Sequence, residues 1–130
     1  GNGNINVTNA FISKPVGGMA LTLAAYGGGT ATGNIIITNS NINVRDGVTL
    51  LAGWNGVMPP YGEDGNTLSS ADVLNGIGSI KISASRIESS EWAVNLWAGK
   101  DIILREDGLS VFANKIGDGR SFVVGFISNY

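Results

Sequence analysis

The sequence predicts an all-β domain built as a parallel β-helix of about 22-residue rungs. Three observations carry that prediction. Residues 33–53, GNIIITNSNINVRDGVTLLAG, alternate apolar and polar side chains in short strands parted by polar corners. The same spacing recurs elsewhere in the chain. The composition also fits many corners: Gly is 20 of 130 residues, about twice the average, and charged residues are only 14%.

The copies follow in chain order. The first, 3–25, places Ile5, Val7 and Ile12, then Leu21, Leu23 and Ala25, at set offsets from its opening Gly3. The second, 33–53, repeats them as Ile35, Ile37 and Ile42, then Val48, Leu50 and Ala52. The third, 78–99, gives Ile80, Ile82 and Ile87, then Val94, Leu96 and Ala98. A shortened fourth, 100–113, matches the first pair with Ile102 and Leu104. It matches the third strand with Leu109, Val111 and Ala113, and Arg105-Glu106-Asp107-Gly108 replaces the middle strand. Inward residues at equal offsets are expected to stack in columns, each buried Ile or Leu contributing on the order of 1.5–3 kcal/mol. Corner Gly and Asn tolerate left-handed backbone, and stacked Asn side chains can bond between rungs. A β-sandwich also uses short strands and frequent turns, but has little reason to repeat its pattern so closely.

Two segments interrupt the repeat. Residues 26–32, YGGGTAT, read as a small flexible excursion. Residues 54–77 form a long insertion: Pro59-Pro60 extends it, 62–65 turns it, and Ser69 or Ser70 caps one helical turn that Asn75-Gly76 ends. Long loops in compact domains are often functional, so the insertion is read as a cover or a ligand contact, and the two are compatible. The outward positions of the third strand, Ala24, Leu51 and Trp97, form an apolar stripe onto which the insertion is expected to fold. Residues 114–130 read as a hairpin about Gly117-Asp118-Gly119, capping the open end of the stack or presenting an interface. The 130 residues are read as a single domain.

Composition limits the chemistry. A net charge of −2 gives no reason to expect nucleic acid as partner, and no apolar run is long enough for membrane insertion. No segment reads as a signal peptide, so the chain is expected to be a mature product or a piece of something longer. There is no Cys, so stability must come from core and backbone pairing, and no His, the commonest metal ligand and general base.

The repeats GNIIITNSNINVRDGVTLLAG and SIKISASRIESSEWAVNLWAGKDIIL resemble the haemagglutinin-type repeats of filamentous-haemagglutinin-like adhesins, exported by two-partner secretion. The shared pattern is a β-branched strand, an Asn- or Ser-rich corner, then x-V-x-L-x-A-G and (K/R)-D-I, over 3–53 and 78–113. The asparagine-proline motifs of that family's secretion domain are absent. The resemblance implies a right-handed, elongated β-helix, extracellular or at the cell surface, serving as stalk or adhesive surface.

Ten carboxylates are present, and Glu88, Glu91 and Asp101 come near enough in sequence to suggest a glycosidase pair, against the simpler reading of solvated corner charges. Glu63-Asp64-Gly65, Glu106-Asp107-Gly108 and Asp118-Gly119 do not follow a calcium loop, and turn duty accounts for them. Asn6-Val7-Thr8 fits a glycosylation sequon inside a repeated strand. No cofactor and no metal is expected. Trp54, Tyr61, Trp92 and Trp97 are the candidate ligand or interface contacts, since flat rings beside Asn, Asp and Ser can hold a sugar; core or cover duty is the alternative. The leading function is a non-enzymatic structural or adhesive module of a cell-surface fibre, partnered by its own copies, by adjoining repeats or by a surface glycan. The alternatives are a phage tailspike-like module that binds or cleaves polysaccharide, and a stand-alone glycan-binding domain.

Overall fold

The computed structural model describes residues 3–14, 16–57, 74–92, 94–104, 110–113 and 124–128. Its strands fall into three sheets. The first sheet joins β1 (Ile5–Thr8), β5 (Ile35–Thr38), β8 (Ile80–Ser83) and β11 (Ile102–Leu104). The second joins β2 (Phe11–Lys14), β6 (Asn41–Val44), β9 (Arg86–Ser89) and β12 (Ser110–Ala113). The third joins β3 (Leu21–Gly28), β7 (Val48–Trp54), β10 (Val94–Ala98) and β13 (Val124–Ser128), with β4 (Ala31–Thr32) folded back on β3. The chain visits the three sheets in rotation and returns to the first, so each circuit lays one tier on the last. All pairings between tiers are parallel.

Register follows the repeat. Ile5 sits beside Ile35, Ile35 beside Ile80 and Ile80 beside Ile102; Leu23 sits beside Leu50 and Leu50 beside Leu96. Alternation turns one residue in two inward, and a slip by one would turn every aliphatic outward, so the pattern fixes the pairing. In the middle tiers Ile35, Ile37, Ile42, Val48, Leu50, Ile80, Ile82, Ile87, Val94 and Leu96 are wholly buried. Ile5, Val7, Ile12, Leu21 and Leu23 pack on that core but stay partly exposed, because theirs is the first tier. Ile102 is likewise partly buried, and Leu104, expected in the core, is 36% exposed at the edge of its sheet.

Polar corner residues tie tier to tier. Asn39 Nδ2 donates to Asn9 Oδ1 at 2.8 Å. Ser40 Oγ accepts from Ala10 N at 3.1 Å, and Ser85 Oγ accepts from Ser40 N at 3.0 Å. At the corner entering the first sheet, Asn4 Oδ1 accepts from Asn34 N (2.8 Å), Asn34 Oδ1 from Ser79 N (2.9 Å), and Ser79 Oγ from Asp101 N (3.3 Å). A corner cannot complete a sheet ladder, so these side chains satisfy backbone donors that would otherwise be lost.

The fourth tier departs from expectation. Val111 lies beside Ile87, so Ser110–Ala113 is the second-sheet strand, not the third, and no middle strand is missing. The third-sheet strand comes later: Val124, Phe126 and Ser128 align with Val94, Leu96 and Ala98. The aliphatic spacing of 109–113 fits either strand, so alternation alone leaves the choice open. The expected hairpin about 117–119 lies outside the described residues, and Val124–Ser128 continues the third sheet in parallel. Residues 26–32 form an antiparallel hairpin, Gly27 beside Thr32 and Gly28 beside Ala31, where a flexible excursion was expected. Cross-strand pairing around the two-residue turn 29–30 orders it.

Candidate functional site

The candidate aromatics do not share one face. Trp97 stands outward on β10 beside Leu51 of β7, which stands beside Ala24 of β3. Leu74 closes over this stripe: it packs with Leu51 and Trp97, with Ala24 and Trp54 against them, and leaves Trp97 only 3% exposed. Leu74 is held there by a bridge to Trp54, by Asn75 N donating to Gly53 O at 2.8 Å, and by Asn75 Nδ2 donating to Gly27 O. The end of the 54–77 segment is therefore a cover over the third sheet, and Trp97 is part of what it covers. Trp54 lies at the rim, its Nε1 donating to Val57 O at 2.7 Å.

Trp92 lies in the corner before β10, at the other end of the strand from Trp54, its backbone N donating to Ser89 Oγ at 3.1 Å. A six-residue span of extended chain is roughly 20 Å, too far for Trp92 and Trp54 to grip one ring. Tyr61 lies outside the described residues. Tyr26, not among the four candidate aromatics, is 47% exposed and stands in register with Trp54. A bulge after Ala25 shifts it by one place, so the repeat offsets do not reveal it.

The corner carboxylates sit with arginines. Glu91 Oε2 accepts from Arg45 Nε at 2.6 Å, Asp46 lies 3.4 Å from the same nitrogen, and Glu88 pairs with Arg86 at 3.3 Å. The hydrogen bond to Glu91, then the charges of Glu91 and Asp46, hold the Arg45 guanidinium above the usual arginine range. A raised pKa means that the arginine charge is present at every pH below that range and is lost on titrating upward through it. Salt, not pH, is thus what weakens this exposed pair near neutrality. Among the described residues no three His, Cys, Asp or Glu side chains gather as a metal site would need.

Two further features stand out. On the outer face of the first sheet, at its corner with the third, lies a groove of ≈ 590 Å³. Its floor is the outward column Ile36, Lys81 and Ile103, adjacent in register; the 29–32 turn walls one side, and Ile77, Ser79 and Lys100 line the rest. The second feature is the first tier itself. Among the described residues no strand pairs with the outer edges of β1 and β2, and β4 meets only Gly27 and Gly28 of β3.

No family model matches the chain, and no curated protein or solved structure matches it either.

Proposed function

We propose that this chain is a right-handed parallel β-helix that works as an extracellular structural or adhesive module, lengthened by head-to-tail stacking of copies. One observation carries the reading: the first tier presents partly exposed Ile5, Val7, Ile12, Leu21 and Leu23, and among the described residues no strand pairs with the outer edges of β1 and β2. The opposite edge of the first sheet, β11, shows Ile102 partly buried and Leu104 36% exposed, in the same columns. An apolar edge with unpaired N–H and C=O groups is a template for another strand. Joining unlike ends makes a heterologous contact, which grows into an open filament where the rotation between copies does not close a ring. The hand follows from the strong preference of strand–crossover–strand connections in parallel sheets. The likeness to haemagglutinin-type repeats supports an outer-surface setting. The pairing of Glu88 and Glu91 with separate arginines supports a role without catalysis.

The test is assembly. Scattering and electron microscopy across a concentration series should show rods that lengthen, and Val7→Asp with Leu23→Asp should hold the particle at one chain while the circular dichroism stays β. A compact wild-type particle that never grows overturns the reading.

A further inference from the structure

We infer that two copies of the chain join in one register only: β11 of one pairs in parallel with β1 of the next, Ile102 beside Ile5 and Leu104 beside Val7, and the β3–β4 hairpin stops the joint from sliding. The inference rests on the stacking reading above and goes beyond it, because stacking by itself leaves the alignment of the two ends open.

Alignment starts from the columns. Ile5, Ile35, Ile80 and Ile102 follow one another across the first sheet, as do Val7, Ile37, Ile82 and Leu104. The repeat thus gives both ends the same residues in the same order. A joint in register continues each column by one further strand spacing, roughly 4.8 Å. A slip by one residue sets Ile102 beside Asn6, which is exposed on the outward face, and both columns end there.

A slip by two keeps the alternation, so something else must exclude it. A rigid copy slips in all three sheets at once. In the third sheet the columns put Ser128 in line with Ala25, through Ala98 and Ala52. Moving the incoming strand two places toward the end of β3 brings Ser128 opposite Gly27. That edge is taken, because β4 lies on the side of β3 away from β7 and pairs Thr32 with Gly27 and Ala31 with Gly28. Thr32 Oγ1 also donates to Asn4 Oδ1 at 2.7 Å, which ties the hairpin to the first tier. Two places the other way brings Ile102 opposite Gly3. Gly3 has φ of +75°, and a methyl group built there would overlap Tyr26 O. The backbone has left strand geometry at that point and is packed against Tyr26, so it offers no edge to pair with. The joint in register meets neither obstacle.

Disulfide trapping reads the register, and the chain has no Cys of its own. Asn6, Thr8 and Ile103 are exposed on outward positions of β1 and β11, so Cys at each leaves the core unaltered. In the inferred joint position 103 lies roughly 4.8 Å from position 6 between Cα atoms, within disulfide reach, and roughly 8 Å from position 8, beyond it. The single variants Asn6→Cys, Thr8→Cys and Ile103→Cys are mixed in pairs under mild oxidation at concentrations where rods form. Mixed dimers of Asn6→Cys with Ile103→Cys, roughly tenfold above those of Thr8→Cys with Ile103→Cys and lost on reduction, are the expected result. Mixed dimers through position 8 instead, or none from either pair in rods that still lengthen, overturn the register and leave stacking intact. Rods that never form, or homodimers alone, overturn the stacking reading and the joint with it. Adding Ala31→Pro, which unpins β4, should raise the dimer through position 8; an unchanged pattern in a variant with unchanged thermal unfolding overturns the hairpin's part.

Discussion

At the scale of single residues, the corners after β1, β5 and β8 show what the repeat demands. Asn9, Asn39 and Ala84 occupy equivalent corners and all adopt left-handed backbone, with φ of 54°, 49° and 48°. Asn accepts that conformation readily, whereas Ala pays roughly 1–2 kcal/mol for it. Asn9 and Asn39 also bond to each other, and Ala84 leaves that ladder one step short. Ala84→Asn should therefore raise stability by about 1 kcal/mol, or some 3–5 °C in thermal unfolding. An unchanged or lowered midpoint would mean that the corner is not strained. This part of the site logic was legible in the sequence, since Asn at a fixed offset between alternating strands has few other uses. Tyr26 was not, because a bulge moves it out of step with Trp54.

At the scale of elements, the telling case is the return of the long insertion. Residues 75–77 cross directly over the ends of β7 and β10. A methyl group built on Gly53 would overlap Ile77 O, and one on Gly99 would overlap Asn75 O and Ile77 O. Gly53 also has φ of +77°, which a side chain resists at a cost of order 1–3 kcal/mol. Gly53→Ala should accordingly lower stability by at least about 2 kcal/mol and lift Leu74 from Trp97. Gly76→Ala, which meets open space, should do neither. Tryptophan emission shifted to the red and quenched by acrylamide in the first variant alone is the expected signature. The sequence shows Gly at the end of x-V-x-L-x-A-G as a corner. That the same glycines seat a second backbone depends on a segment more than twenty residues away, which no local pattern encodes. The fourth tier is ambiguous in the sequence for a related reason: alternation marks 110–113 as a strand but does not say which sheet it joins.

At the scale of the whole molecule, stability should depend on the tier and not on residue type alone. In a stacked architecture each tier touches only its neighbours, so an interior tier has two interfaces and an end tier one. Ile37 lies in the second tier and is wholly buried between Val7 and Ile82, while Ile5 in the first tier has Ile35 on one side only. Truncating a buried Ile to Ala costs about 2–5 kcal/mol, the loss growing with the cavity that remains. Ile37→Ala should fall in that range, and Ile5→Ala in dilute solution should cost less than half as much, since solvent already reaches the site. Chemical unfolding measured at several protein concentrations then separates a free end from a joined one. If copies stack head to tail, the penalty of Ile5→Ala climbs toward that of Ile37→Ala as concentration rises, because assembly gives the first tier its second neighbour. A penalty that stays small and constant at every concentration would show that the apolar end remains in water, and the stacking reading would fall while the parallel architecture stood.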